Sequence, residues 1–440
     1  MKKLCVISCP IATRSGYGSR SRDFVRSLID VKSDEWDIKI LPQRWGNTAQ
    51  TALSEVDSDL TSRIIATVST KPDIWIQITI PNEFKAMGHF NIGVSAVIET
   101  TQASAQFIEG CNRMDLNIVS STHSKSTLGI SYDKIDDNTK QKIGELKLEK
   151  PIEVLFEGFD DEIYNNNLPI LKSVDDVLSV VKEDFSFLFV GHWLQGNFSH
   201  DRKNVSGLIS SFLNAFKNKS KKPALILKAS IVSPGITNVH ELRKRIEVIK
   251  GMVDSKNLPN VYILDGDLSD EEMNSLYNHP KVKAHVSFTR GEGFGRPLLE
   301  ACVSGKPIIA TNWSGHLDFL HSDYNFLLGG KLENVDPSAV NNWILKDTQW
   351  FTVNYGEGVG IMKWIYENYK KSLEKSRKNR KYVKDNFTIR KMTELLGEIL
   401  QNHKVGDGPQ QVQLKLPTLK KVGDPIELKL PTLKKVGDNA

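Results

Sequence analysis

A short, mostly apolar run at residues 4–9 leads into a loop with two glycines and then into a segment of helical spacing. The same succession starts again at residues 185–190. Short runs without polar alternation are buried on both faces, as parallel strands covered by helices are. Further strand candidates fall at 37–41, 74–80, 94–98, 116–119 and 154–156, and after the restart short apolar runs follow at 224–227, 261–264, 284–288 and 307–310. Between them lie helical patterns such as Val205–Phe216, which places Leu208, Ile209, Phe212, Leu213 and Phe216 on one side. Strand and helix alternating in two blocks predict two doubly wound α/β domains.

The fold class expected is therefore α/β, with two Rossmann-like domains facing a cleft where a ligand would sit. The 440 residues suit that number. The expected layout is a first domain at 1–165, a second at 166–375, a C-terminal helix at 376–402 able to return to the first domain, and a flexible tail at 403–440. In that tail Leu414 to Asp424 recurs as Leu428 to Asp438, a period of 14, and Lys404-Val405-Gly406-Asp407 resembles a fragment of a third copy. Prolines and lysines without aromatic residues leave the tail no core of its own. Two copies of one peptide would raise the avidity for a protein partner.

Four cysteines, Cys5, Cys9, Cys111 and Cys302, lack metal spacing and are expected as reduced thiols. The first residues pass superficially for a signal peptide or lipoprotein box, but the apolar run is too short and Pro10 follows, so a buried first strand is expected. No stretch approaches the ~18 apolar residues of a membrane span. A cytoplasmic location is expected. The net charge of +5 permits an anionic partner without requiring one. Eight Lys or Arg lie between Lys370 and Lys384, as a solvated helix face or a polyanion contact.

The segment Thr289-Arg290-Gly291-Glu292-Gly293-Phe294-Gly295-Arg296-Pro297-Leu298-Leu299-Glu300-Ala301 concentrates chemistry. Glu292 and Glu300, seven residues between them, flank a glycine-rich turn and a helix start. Glycines admit close approach to backbone amides, and a helix N-terminus favours an anion. Carboxylates around such a site suit a ligand with both phosphates and hydroxyls, such as a nucleotide sugar. Breaking its anomeric bond releases a diphosphate whose growing charge needs amides, cations or a metal. Arg202-Lys203 before Val205, and Lys228 at a strand end, are candidate cations. They leave no obvious need for a metal or other cofactor.

Weaker signals surround this set. Asp265-Gly266-Asp267 has the D-x-D arrangement of metal-dependent sugar transferases, but it precedes Ser269-Asp270-Glu271-Glu272 and is explained by turn and cap formation. Asp57-Ser58-Asp59 is weaker. Gly16-Tyr17-Gly18 lacks the full G-x-G-x-x-G pattern, and no acid ends a second strand, which disfavours dinucleotide binding. Glu99 ends a strand of the first domain and should face the cleft, and His123 follows another. Glu157-Gly158-Phe159-Asp160 lies near the expected domain crossover.

In order along the chain, Phe189-Val190-Gly191, Arg202-Lys203-Asn204, Ala224 to Lys228, Leu268 to Glu272, Glu292 to Ala301 and Gly305 to Ala310 resemble the retaining, nucleotide-sugar-dependent glycosyltransferases of family 4, which have the GT-B fold. The resemblance covers residues 150 to 330 well. It implies that Glu292 and the amides of Gly293, Phe294 and Gly295 hold the donor sugar and phosphate, and that Glu300 binds the ribose hydroxyls. Arg202 and Lys203, or Lys203 and Lys228, would neutralise the leaving diphosphate, with Gly16, Tyr17 and Gly18 closing over the phosphates. His192-Trp193 replaces the family's usual arginine and a long insert, 194–201, follows, so the resemblance leaves open which cations take the two places. The first-domain histidine motif of many relatives is not evident, and the resemblance implies Glu99 or His123 on the acceptor side instead.

Pro81 to Phe84, Ile98 to Thr101, Asn112 to Leu116 and the Leu-Lys-Leu-Pro tail also resemble transferases of large T-even-type bacteriophages. That resemblance implies hydroxymethylcytosine in double-stranded DNA as acceptor, with Lys370 to Lys384 and Arg14, Arg20, Arg22 and Arg26 on its phosphates. A glycan or protein hydroxyl is the competing acceptor. Functions of other classes are a non-catalytic scaffold acting through the tail and a nucleotide-sugar epimerase.

Overall fold

The structure, a computed structural model, describes residues 2–46, 48–53, 57–136, 138–231 and 235–407. Residues 1–406 form one compact unit. Both full copies of the 14-residue repeat, and with them the expected tail beyond residue 407, lie outside the described residues.

The first half runs β1 (Lys3–Cys9), α1 (Gly16–Lys32), β2 (Trp36–Pro42), α2 (Ser58–Thr61), β3 (Ile74–Ile78), β4 (Phe90–Ser95), α3 (Ala105–Asn112), β5 (Leu116–Val119), α4 (Thr122–Thr127), a hairpin β6 (Tyr132–Ile135) and β7 (Lys142–Leu146), and β8 (Ile152–Val154). Six of its strands form a parallel sheet in the order β2-β1-β3-β4-β5-β8. Ile74, Trp75, Ile76, Gln77 and Ile78 are all buried, because helices cover both faces of this sheet.

The second half runs α5 (Lys172–Leu178), β9 (Ser186–His192), α6 (Val205–Phe216), β10 (Ala224–Ser230), α7 (Ile236–Met252), β11 (Val261–Ile263), α8 (Asp270–Asn278), β12 (Val282–Val286), α9 (Arg296–Val303), β13 (Ile308–Thr311) and β14 (Phe326–Leu328). Its parallel sheet has the order β11-β10-β9-β12-β13-β14. An antiparallel pair β15 (Gly330–Asn334) and β16 (Gln349–Val353) follows, then α10 (Tyr355–Glu367), α11 (Tyr369–Asn386) and α12 (Ile389–Asn402). Strand order reverses between β1 and β3 in one sheet and between β9 and β12 in the other. Open α/β sheets bind ligands outside the carboxyl ends of strands at such points.

Several expected boundaries move. Strand β4 begins at Phe90 instead of 94, since Asn91 and Gly93 hide it: Asn91 is buried against Gly88 and Asp115, and Gly93 leaves room for the Phe84 ring. Strand β8 stops at Val154 and β12 at Val286. The first domain crossover is near Phe156–Gly158, not at 165, because Phe159 and Tyr164 already belong to the second domain's core. Helix α11 runs unbroken across the expected 375/376 boundary and packs on α9. The chain crosses back at Phe387–Thr388, where Phe159 N–H donates to Phe387 O at 3.0 Å and Ile389 N–H to Phe159 O at 2.8 Å. Met392, Leu396, Ile399 and Leu400 of α12 then enter the core of the first domain beside α1. Val405, in the expected third repeat fragment, is buried on the same core.

All four cysteines are buried and free. No described helix is long and apolar enough to cross a membrane. All four arginines expected on DNA have partners within the chain. Arg14 is exposed and donates to the Thr51 hydroxyl and carbonyl, Arg20 is buried and donates to the Leu155 and Phe156 carbonyls, Arg22 donates to the Ile11 and Thr13 carbonyls, and Arg26 pairs with Asp57. On α11, Lys370, Lys371, Arg377, Lys378 and Lys381 are exposed.

Candidate functional site

Strand β9 ends at His192, the insert follows, and Arg202-Lys203-Asn204 brings the chain to the start of α6. Asn204 has left-handed φ of 50°, held by its side chain on the Tyr355 hydroxyl at 2.9 Å. That turn aims Arg202 and Lys203 back over the carboxyl ends of β9 and β12. Lys203 Nζ donates to Glu292 Oε1 at 2.5 Å. Arg202 Nη1 lies 3.6 Å from Glu292 Oε2, 3.0 Å from Glu99 Oε1 and donates to Gly291 O at 2.9 Å. Four sequence-predicted residues, two from each charge and one from the opposite domain, thus share one cluster.

Burial alone would raise the Glu292 carboxyl. Lys203 and Arg202 outweigh it and hold the group at about 2. Burial lowers the Lys203 ammonium, and Glu292 opposes that. Strain borders the cluster. Val97 has φ of 59° where the chain turns from β4 toward Glu99, and Ser314, φ 83°, presents the hydroxyl that accepts from Glu292 N–H at 2.9 Å. Such conformations cost of order 1–3 kcal/mol and collect at functional sites.

Glu300, one turn into α9, sits in a separate part of the cleft. Oε1 accepts from Arg296 Nε at 2.8 Å and Oε2 from the Tyr277 hydroxyl at 3.1 Å. Burial pushes this carboxyl up to about 7, with Asp270 adding to the effect and Arg296 opposing it. Arg296 also pairs with Asp23 of α1 on the other domain.

The glycine loop is closed against the first domain. The Gly293 carbonyl accepts from Ser121 Oγ at 2.5 Å, Ser124 Oγ at 3.2 Å and Ser120 Oγ at 3.4 Å. A Cβ on Gly291 would stand 2.0 Å from the Glu99 carbonyl oxygen, and one on Gly293 2.8 Å from that of Ala96. Because a peptide unit is planar and trans, fixing the Gly293 carbonyl on the serines turns the Phe294 N–H the opposite way. Gly295, φ +97°, begins α9.

Other expected site residues lie apart. The Phe294 ring is buried against Phe319, so only its amide is free to serve a ligand. Tyr17 points inward: its hydroxyl meets Ser95 Oγ at 3.0 Å and accepts from Ala96 N–H at 3.1 Å, and its ring stacks on Trp45. Gly18 leaves room for the Thr13 carbonyl, while Gly16 opens to space at the N-terminus of α1. Lys228 Nζ is committed to the Gly266 carbonyl at 2.6 Å. It still acts with Arg202 and Lys203 to lower the His192 imidazole, behind burial, which is the main cause. Asp265 accepts from Gly235 N–H at 2.8 Å and the Asn238 amide at 2.6 Å, and Ser269 with Glu272 forms a capping box on α8, which accounts for the D-x-D run. His123 packs edge-on to Trp313. Burial lowers it to about 4, and its Nε2, like Nδ1 of buried His316, has no hydrogen-bond partner among the described residues.

Arg296, Tyr277, Asp23, His316 and the serine triad went unread in the sequence as site residues. Only Ser124, inside Thr122-His123-Ser124 after a first-domain strand, stood near a signal.

Residues 196–336, which hold Arg202, Lys203, Glu292 and Glu300, match the family described as Glycosyl transferases group 1. HepE of Anabaena, solved in complex with UDP and glucose, is similar in fold: TM-score 0.57, 14% identity, 91% of this chain and 100% of that one. A glycosyltransferase from Rickettsia africae ESF-5 gives 0.59, 14%, 92% and 99%. The sucrose-phosphate synthase of Thermosynechococcus elongatus gives 0.57, 12%, 91% and 99%. No curated protein matches the chain. The fold is thus the two-domain GT-B arrangement, and the family match supports glycosyl transfer as the function.

Proposed function

We propose that this chain is a retaining, metal-independent transferase that moves a sugar from a nucleoside-diphosphate sugar to a hydroxyl acceptor. The observation that carries this is the buried Lys203–Glu292 pair at 2.5 Å with Arg202 beside it, facing the opposite domain at the switch point of the sheet. UDP is the first nucleotide to test, since HepE was solved with it.

Bound donor would place its diphosphate on Arg202 and Lys203, its sugar near Glu292 and the Phe294 amide, and its ribose on Glu300. Arg202 now serves two carboxylates. Glu99, the more exposed of them at 25% against 10%, is the one a phosphate oxygen displaces, which frees it to meet the acceptor hydroxyl. The anomeric C–O bond to the phosphate breaks and the acceptor oxygen bonds the same carbon on the same face. The acceptor proton passes to the departing phosphate oxygen, whose new charge the two cations stabilise.

For the acceptor, the exposed basic face of α11 supports a polyanion such as DNA carrying hydroxymethylcytosine. A panel of UDP- and GDP-sugars tests the donor, with release of nucleoside diphosphate expected for at least one. No turnover and no nucleotide binding across the panel would overturn the proposal. Mass analysis of nucleosides from modified DNA, beside a glycan acceptor, assigns the acceptor. Sugar added only to the glycan rejects DNA.

A further inference from the structure

The Arg296 guanidinium is shared between carboxylates of two domains. Its Nε donates to Glu300 Oε1 at 2.8 Å within α9, and its Nη1 pairs with Asp23 of α1. All three side chains are close to buried, 12% exposed for Arg296, 8% for Glu300 and 11% for Asp23. Arginine commonly meets a carboxylate side-on, with two parallel N–H groups. Here Asp23 holds Nη1, the nitrogen outside that side-on pair, and so sets the orientation of the guanidinium; Glu300 receives a single N–H from it, Nε, and a second hydrogen bond from Tyr277. An ionised carboxylate has about four acceptor sites, which leaves room for a ligand diol. Without Asp23, the guanidinium is free to turn so that Nε and Nη2 meet both Glu300 oxygens.

We propose that Asp23 is a positioning residue for the donor ribose: by holding Arg296 across the cleft it keeps Glu300 open to the ribose hydroxyls. The grip on the ribose then forms only when the two domains are together. This rests on the assignment of Glu300 to the ribose. It also gives the first domain a part in nucleotide recognition that touches no nucleotide atom.

Calorimetry on the full chain with UDP and 2′-deoxy-UDP tests it, with GDP and 2′-deoxy-GDP used if the uridine pair does not bind. Wild type is expected to prefer the ribonucleotide by roughly tenfold, the worth of a hydrogen bond to a charged group. Asp23→Asn should weaken UDP about tenfold and leave 2′-deoxy-UDP within about twofold, and Asp23→Glu should restore most of the preference. Asp23→Ser, with the same loss expected, serves if Asp23→Asn fails to fold, and Arg296→Lys, whose amine lacks the fork that would cover both Glu300 oxygens, should keep the preference. Equal weakening of both nucleotides by Asp23→Asn, or no weakening of either, would show a mere latch and overturn the proposal. Glu300→Gln separates the underlying assignment: if it keeps the ribose preference, Glu300 does not hold the ribose, whatever Asp23 does. Binding of neither pair overturns both.

Discussion

Lys203 and Glu292 form a buried ion pair at 2.5 Å, and Glu99 of the opposite domain joins it through Arg202. Removing one member leaves a buried charge without its partner, which costs about 3–5 kcal/mol. Glu292→Gln keeps a hydrogen-bond acceptor and should fall at the low end of that range. Sugar transfer should drop at least about a hundredfold, as for the loss of one transition-state contact. Thermal melts and donor turnover check both. The pair also has a pH signature. Glu292 is held at about 2, below its unfolded value, so its contribution is complete above the unfolded value and is lost as pH falls through the folded one. The stability gap between wild type and Glu292→Gln should therefore narrow as pH falls from about 5 to about 2.

Glu300 has the opposite sign. Its carboxyl is raised to about 7 by burial, so the folded chain holds a proton that the unfolded chain releases. Stability from this group falls as pH rises from the unfolded value to about 7. A ribose diol is best accepted by the ionised form, so affinity for a nucleotide sugar, whose diphosphate does not titrate in this range, should rise between about pH 6 and 8. Glu300→Gln should flatten that rise in a calorimetric pH series, and an unchanged slope would assign it to another group.

Gly291→Ala tests how closely the domains approach. Its Cβ would stand 2.0 Å from the Glu99 carbonyl oxygen, and backbone cannot yield as a flexible side chain can. The expected result is a wider cleft, seen as an increased radius of gyration in solution scattering, with transfer lost. Each half should stay folded, because the backbone clash lies between the domains, and within the second half only the edge of the Trp313 ring, 2.9 Å from that Cβ, has to shift.

The serine hydroxyls on the Gly293 carbonyl cross the same boundary. The double variant Ser121→Ala, Ser124→Ala leaves that buried oxygen only Ser120 at 3.4 Å. The loss should be about 1–3 kcal/mol, read as a lower kcat with donor KM less affected if the Phe294 amide acts mainly in the transition state. A change in KM alone would place that amide in ground-state binding.

Much of this arrangement was legible from local pattern. The runs at residues 4–9 and 116–119 became strands because they are short and mostly apolar, with Ser8 and Asn117 buried among the apolar residues, and Glu292, Arg202 and Lys203 met because each sits beside a strand end or helix start that faces the cleft. Strand β4 was displaced in prediction because Asn91 and Gly93 look like turn residues until Asp115 and Phe84 supply their reasons. The Asp23–Arg296 pair joins residues 273 positions apart, and no spacing rule reaches that far. Tyr17 is placed on the donor phosphates by the resemblance alone; its hydroxyl meets Ser95 and Ala96 at the end of β4, a contact that no spacing rule ties to residue 17.

The central claim is that one cleft holds the whole donor. A crystal structure of the chain with an intact nucleoside-diphosphate sugar, UDP- or GDP-linked according to which binds, tests it most directly. The account predicts the diphosphate within hydrogen-bond reach of Arg202 and Lys203, the ribose on Glu300 and the sugar beside Glu292. A donor bound elsewhere, or bound in the cleft with its phosphates away from both cations, would contradict it.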